Sequence, residues 1–364
     1  MFESIIIFFW LFSKVWRKDR YKSLLKVLVW SFVKLIQSQF VSFIIAFILV
    51  HQTPLLRGSA FLDPSKKDFH MFDENRSKIN KPIKKIRFDL KSEPIDVVIP
   101  AIEKDLYTLE LCIEGIKKNG ENIRNVYVVS RRKLTENAIW VDENSYPFTI
   151  KDVAKNLFDS EEKLNMYLEN GTQRIGWYFQ QLLKLYSPVV VPHISSNVLV
   201  LDSDTIFINP VSFMNELNEP LFCPGGCTSD SYFNHARNLI PGFIRYDNKI
   251  AGITHHMLFQ KAVIKHFLNV IEKYHQKPAW KALCNCVISD NPKSKKFYLG
   301  MSEFELYFNY FLTKSNQGHL RPLKWIEVPT YHKLEYYRSA KYHFISCHSY
   351  LRDRGGYENG AAHL

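Results

Sequence analysis

The stretch Asn197-Val198-Leu199-Val200-Leu201-Asp202-Ser203-Asp204-Thr205-Ile206-Phe207 constrains this chain more than any other. Val198 to Leu201 is a short, wholly apolar run, the pattern of a strand buried on both faces in a helix-covered parallel sheet. Two aspartates one residue apart follow directly. They leave the strand at its C-terminal end, where open α/β sheets bind ligands. Carboxylates so spaced can hold a hard divalent cation directly or through water. Such a cation can neutralise a diphosphate leaving group. The plain alternative is a solvated Asp-Ser-Asp turn. The apolar strand before the pair and Thr205-Ile206-Phe207 after it argue against that.

Other segments supply the rest of an α/β fold. Asp96 to Pro100 reads as a buried strand ended by proline, Tyr107 to Lys118 as a helix stopped by Asn119-Gly120, and Asn125 to Ser130 as a second strand. A strand, helix and strand of these lengths open a parallel sheet. Helical patterns recur near 176–186, 261–275 and 303–311, and a strand at Phe344 to Cys347. No internal repeat or low-complexity segment interrupts them.

A chain of 364 residues fits one large α/β domain plus an appendage. The appendage is the first 65 residues or so. Ile5 to Phe12 is an apolar run, the stretch from Lys14 to Lys22 is basic, and Leu24 to Val50 is again apolar, broken by Lys26 and Lys34. The uncharged part, Leu35 to Val50, falls short of the roughly 20 residues that span a bilayer. Two membrane readings stay open: interfacial helices with basic sides on anionic head groups, or one short spanning helix with Lys34 snorkelling at its end. A helical hairpin packed on the rest of the chain is the third. Residues 66–94, punctuated by Pro82 and Pro94, read as a linker, and 95–364 as the catalytic domain.

The net charge of +12 points to anionic partners such as nucleotide phosphates or phospholipids. No zinc-finger, helix-turn-helix or RNP pattern accompanies it, so nucleic acid is not expected as a partner. Six cysteines in a chain this long make no disulfide framework and read as reduced thiols.

Three further segments carry candidate chemistry. On the helix near 176–186, Phe179, Leu182, Leu183 and Tyr186 share one face, while Trp177, Gln180, Gln181 and Lys184 share the other. That second face suits hydrogen bonding and stacking of a polar ligand better than plain solvation. An ordinary domain-interface face is the alternative. Ser302-Glu303-Phe304-Glu305 offers two acids. Ser302 and Glu305 form a capping-box pattern, which leaves Glu303, in line with Tyr307 and Tyr310, as a candidate general base, in the resemblance given below that of an inverting transfer. A retaining mechanism would need no such base. His255 and His256 are neighbours on a strand and point to opposite faces. With Tyr307 they are the candidate acceptor contacts.

The segment Leu199 to Phe207 resembles the Asp-x-Asp motif of GT-A nucleotide-diphospho-sugar transferases. Gly176-Trp177-Tyr178-Phe179-Gln180-Gln181-Leu182-Leu183-Lys184-Leu185 resembles the helix preceding it in several of them. With His255 to Phe259 and Ser302 to Tyr307, the set is similar to a poorly characterised group of bacterial and viral transferases. The resemblance covers roughly Asp96 to Tyr350. It implies a Rossmann-like GT-A domain, with a mixed, mainly parallel sheet flanked by helices. The nucleotide-binding half would be about 95–205 and the acceptor half about 206–364. It implies donor contacts from the first strand and its loop, Val98 to Glu103 with Pro100, Ala101 and Glu103 among them, from Ser130 and from Ser203. It also implies manganese or magnesium on Asp202 and Asp204. A late histidine completes the metal set in many members, and His348 is the counterpart here. The wider family's His-x-x-Gly-x-x-Lys context is absent around it.

The function expected is transfer of a sugar from a nucleotide-sugar donor to a glycan or lipid-linked acceptor at a membrane surface. Bacterial nucleotide sugars are cytoplasmic, so the catalytic domain is expected on the cytoplasmic side, with a Golgi type II layout as the alternative. Two other classes compete. A haloacid-dehalogenase-like phosphohydrolase also opens on an apolar strand and Asp-x-Asp, but normally near the start of its domain. A non-catalytic membrane-bound carbohydrate-binding protein would need no metal chemistry.

Overall fold

The computed structural model describes residues 85–158, 160–169, 174–226, 229–287 and 300–352. The expectations for residues 1–65, and for Cys227, lie outside them. Among the described residues no helix is long and apolar enough to cross a membrane, and Cys112, Cys223, Cys284, Cys286 and Cys347 are free and buried.

The central sheet has the order β3-β2-β1-β4-β7. Its strands are β1 (Ile95–Pro100), β2 (Ile123–Ser130), β3 (Ile139–Asp142), β4 (Asn197–Leu201) and β7 (His256–Gln260). The first four run parallel and β7 antiparallel to β4. The sheet is buried on both faces because its strands alternate between two cores. Val98, Val200 and Phe259 face one core; Val97, Ile99, Leu199 and Leu201 face the other. This is why β4 carries no polar alternation.

Four helices matter for the site: α1 (Leu106–Asn119), α2 (Ile175–Val190), α3 (Lys261–His275) and α4 (Glu303–Lys314). Helix α1 covers one face through Leu109, Cys112, Ile113 and Ile116. Gly115 lets it lie directly on the backbone at Phe207, since a Cβ there would stand 2.7 Å from the Phe207 carbonyl oxygen. Asn119 ends the helix, its amide donating to the Gly115 and Phe207 carbonyls at 3.0 and 2.9 Å. Helices α2, α3 and α4 cover the other face. The result is a mixed, mainly parallel α/β sheet between helices, as the sequence indicates.

The chain leaves β1 toward β2 on one side and returns to β4 on the other. The β1/β4 boundary is therefore the topological switch point, and the C-terminal ends of parallel strands open there into a crevice. A second sheet has three-residue strands in the order β5-β10-β9. In it β5 (Thr205–Phe207) pairs antiparallel with β10 (Phe344–Ser346), which pairs parallel with β9 (Trp325–Glu327). In a third, β6 (Leu221–Phe222) pairs with β8 (His319–Leu320).

The last ten residues of the expected linker are built onto the domain. The Ile86 amide donates to the Lys314 carbonyl at 2.6 Å, Phe88 is buried, and Asn197 Nδ2 donates to the Lys91 and Glu93 carbonyls. Proline spacing suggests a linker, but Phe88 finds Phe311 and His266 to pack on.

Candidate active site at the end of β4

Asp202 follows β4, and its amide donates to the His255 carbonyl at 2.9 Å. Asp204 precedes β5, and its carbonyl accepts the Cys347 amide at 2.9 Å. Ser346 is the register partner of both Thr205 and Glu327. The second sheet thus delivers Asp204, Glu327 and His348 to one edge. His255 arrives from the turn before β7, with φ at 64° in the left-handed region. A non-glycine residue there is strained and persists where surrounding contacts hold it, a pattern common at functional sites.

These side chains meet. His255 Nδ1 lies 3.3 Å from Asp202 Oδ2 and His348 Nδ1 2.9 Å from Asp204 Oδ2. The two Nε2 atoms lie 3.7 and 3.9 Å from the same Glu327 oxygen. His255, Glu327 and His348 form a group able to hold a metal ion. The donor set of two imidazoles and a carboxylate, backed by two more carboxylates, fits a divalent cation.

Beneath Asp202 sits a buried cation. Lys184 of α2 donates to Asp202 Oδ1 and, at 2.7 Å, to Glu303 Oε1. Its side chain is 3% exposed. Burial works against the Lys184 charge, but Asp202 and Glu303 outweigh it and raise its pKa. Burial likewise opposes ionisation of Asp202, and Lys184 and His255 reverse that, holding the carboxyl well below its usual range. Asp204 is lowered against burial by His348. Burial would depress His255. Its hydrogen bond to Asp202, the nearby Glu327 carboxylate, and the charges of Asp202 and Asp204 raise it instead to about 9.

Several expected site residues come together at this point: Asp202, Asp204, His255, His348, Lys184 and Gln181, whose Oε1 accepts the Glu303 amide at 3.0 Å. Gln180 and Trp177 lie half-buried on the outer part of α2. Pro100, Ala101 and Ser130 are buried at the C-terminal ends of β1 and β2. The Ala101 amide donates to Val129, and the Ser130 hydroxyl to the Arg132 carbonyl at 2.7 Å. Ser203 is buried between the aspartates. Glu103 is exposed and pairs with Arg132 at 2.9 Å.

His256 and Tyr307 lie in the core, away from the cluster. His256 is wedged among Phe207, Phe213 and Phe344, and burial pushes it down to about 3. Its neighbour reaches the site because His255 lies in the left-handed turn before β7, whereas His256 is the first residue of the strand. The Tyr307 hydroxyl accepts the Gln260 amide at 2.8 Å, and its ring packs on Phe259.

Glu303 takes a different part from the base expected of it. Its side chain is 5% exposed and its carboxylate is committed to Lys184. That geometry makes it the anchor of Lys184 rather than a proton acceptor open to a substrate. Glu303→Gln should lower turnover less than tenfold while weakening the fold by about 1.5–3 kcal/mol, the worth of a hydrogen bond to a charged group. Turnover lower by a hundredfold or more in a chain of parental thermal stability would restore the base.

The elimination argument around Glu305 also changes. Ser302 Oγ caps α4 by accepting the Glu305 amide at 3.3 Å. The Glu305 carboxylate does not reach back; it accepts from the Gly252 amide at 3.3 Å and from Asn309 at 2.5 Å. Burial raises it from 4.5 to about 7, against those hydrogen bonds. Between these two values the folded chain holds more protons than the unfolded one. Stability should fall by about 3 kcal/mol as pH rises through that window and level off above it. Denaturant midpoints from pH 4.5 to 8, compared with Glu305→Gln, isolate the effect; identical slopes in both chains would rule it out.

Two residues of the site carried no sequence signal. Glu327 stands at the end of a three-residue strand, too short for any periodicity. Asp105 ends a single turn before α1, and burial, reinforced by the Asp204 charge, raises its pKa while it bonds Ser203.

No protein-family model matches the chain, and no curated protein matches it. Among solved structures it is similar to the mannosyltransferase Ktr4p from S. cerevisiae, at 11% identity over 76% of this chain and 84% of that one, with a TM-score of 0.41. It is similar to the galactosyltransferase LgtC, at 11% identity over 69% and 86%, with a TM-score of 0.34. Mouse xyloside xylosyltransferase 1 shows 12% identity over 71% and 98%, with a TM-score of 0.32. All three are glycosyltransferases. Likeness at this level carries no argument about the chemistry of this chain, which rests on its own residues.

Proposed function

We propose that this chain is a metal-dependent glycosyltransferase that moves a sugar from a nucleotide-sugar donor to a glycan or lipid-linked acceptor. One observation carries the reading. Asp202 and Asp204 leave the sheet at its switch point and meet two histidines and Glu327 in one cluster. The sequence resemblance to GT-A enzymes around Leu199 to Phe207 supports the same reading. A manganese or magnesium ion bound there would neutralise the diphosphate leaving group.

The chain's own residues would divide the rest of the work. Pro100, Ala101 and Ser130, buried at the ends of β1 and β2, would stand in the place where α/β sheets take nucleotides. Lys184, held by Glu303, keeps Asp202 ionised and in place. Trp177 and Gln180 offer a stacking surface and an amide on the outer part of α2. Residues 1–65 would attach the enzyme to a membrane, with the catalytic domain on the cytoplasmic side in a bacterial cell.

The test is a panel of nucleotide sugars with manganese or magnesium, read as release of free nucleotide. Nucleotide release with at least one donor is expected. Cleavage of simple phosphate esters without nucleotide release would replace the reading with a phosphohydrolase, and neither activity would leave a non-catalytic protein.

A further inference from the structure

We propose that the catalytic domain carries a membrane-docking face of its own. It is a patch of cations at the end of the sheet opposite the Asp202 cluster, and it binds anionic phospholipid head groups.

The patch is assembled where the chain enters the domain. Residues 85–93 cross the start of α3 and the end of α4. The Ile86 amide donates to the Lys314 carbonyl, and the Phe88 ring packs on His266 and Phe311. Arg87 and Lys91 of this segment are exposed. Lys261 and Lys265 stand in the first two turns of α3, and Lys314 ends α4. A cavity of about 230 Å³ opens between the segment and α3, with Lys91, Lys261, Lys265 and Asp89 on its walls.

The charge there is unbalanced. Arg87, Lys261, Lys265 and Lys314 have no ion-pair partner among the described residues. Lys91 pairs with Asp89 at 2.5 Å. Glu93 is taken up by the Ser196 amide at 2.7 Å and the Ser196 hydroxyl at 3.0 Å. The first turn of α3 holds no acid, although a helix N-terminus is itself positive and favours one. His266 feels the same field: burial first, then the charges of Lys314 and Lys273, lower its pKa.

A lipid surface suits cations spread over three segments and exposed on long stems, since an anionic leaflet attracts each one near it. The chain that reaches this face through Lys85 has already passed two apolar runs and the basic stretch from Lys14 to Lys22. Stable attachment takes two weak signals together, and the patch supplies the second. Strand β7 fixes which way the domain then faces. Gln260 pairs with Asn197 at the start of β4, and His256 with Leu201, next to Asp202. Patch and cluster thus stand at opposite ends of β4, roughly 15 Å apart at about 3.3 Å per residue. With the patch on head groups the crevice opens away from the bilayer, so the acceptor hydroxyl belongs to the outer end of a glycan rather than to a lipid phosphate. That consequence rests on the transferase reading; the docking does not.

Lysine footprinting of the full chain tests the face without a variant or a donor sugar. The chain is mixed with vesicles of phosphatidylcholine, or of equal parts phosphatidylcholine and phosphatidylglycerol. A water-soluble acetylating reagent follows, and mass spectrometry reads each lysine. On the anionic vesicles Lys91, Lys261 and Lys265 are expected to react about fivefold more slowly than in the free chain, or slower still. Lys104 and Lys133, exposed after β1 and β2 at the crevice end, should keep their reactivity. Neutral vesicles should give no protection, nor should anionic ones in 1 M salt, where the Debye length shrinks to about 3 Å. Protection that extends to Lys104 and Lys133, equal protection on neutral vesicles, or full reactivity of the three lysines in vesicle-bound chain would overturn the inference. So would a chain that does not bind anionic vesicles. Nucleotide release is a separate assay, so either reading can fail alone.

Discussion

Lys184→Met is expected to destabilise the folded chain by about 3–5 kcal/mol, because it removes the cation shared by two buried carboxylates. Lys184 is 3% exposed on its side chain, and its ammonium bridges Asp202 and Glu303. Methionine matches its length and packs on the Phe304 ring that the ammonium now faces at 4.5 Å. The expected loss is therefore electrostatic rather than a cavity. Asp202 and Glu303 would face each other without a counter-ion, and one would have to take up a proton. Chemical denaturation at pH 7 in the presence of chelator measures the effect free of metal linkage. The deficit should shrink as the pH falls, since protonation removes the repulsion. Lys184→Met with Glu303→Gln should recover part of it, because the two sites are in contact and do not add. A single variant within 1 kcal/mol of the parent at pH 7 would show that the ion pairs contribute little.

Removal of divalent cations should lower sugar transfer by about 10³-fold or more. The figure follows if the ion contributes about 4 kcal/mol of leaving-group stabilisation, at 1.36 kcal/mol per decade of rate. Among the described residues, the acids Asp202, Asp204 and Glu327 dominate the cluster, His255 is held by Asp202, and Lys184 is sealed beneath them. Nucleotide release from a productive donor, followed through a chelator titration and then a titration back with manganese or magnesium, tests this. The activity should return with added metal. Full turnover in excess chelator would remove metal from the reaction and, with it, the reason for the aspartate pair.

The way these residues are brought together explains what could be seen in advance. The β4 strand and its aspartates are local: an apolar run and two acids in continuous sequence. The partition of His255 and His256 is expected from strand alternation, but the left-handed turn at His255, just before β7, is what sets it. Helix α3 falls where its amphipathic repeat lies, and Ser302 caps α4 as its residue type suggests. Glu303 and Glu305 were separable as a pair, but their jobs were not, since both have partners far along the chain: Lys184 for one, Gly252 for the other. Tyr307 shares a helix with Glu303, yet the core claims it, with its ring on Phe259 and its hydroxyl on the Gln260 amide. Tyrosine serves a core and a binding surface equally well until its neighbours are known.

By itself the sequence determined the parallel α/β core, the strand that carries the aspartates and the end of the sheet at which they emerge. These follow from hydrophobic periodicity and turn residues acting within a few positions. Only the tertiary structure decided which acids and bases meet there. Glu327 and His348 reach Asp204 through β9, β10 and β5, strands of three residues each, and the β5–β10 pairing joins segments more than a hundred positions apart. Lys184 lies on a helix face that composition marks only as polar, and it is the packing of α2 against β4 and α4 that buries its charge between Asp202 and Glu303. The physical reason is range. Burial patterns are written residue by residue along the chain, whereas a charge finds its counter-ion through space, wherever the sheet order brings the two together.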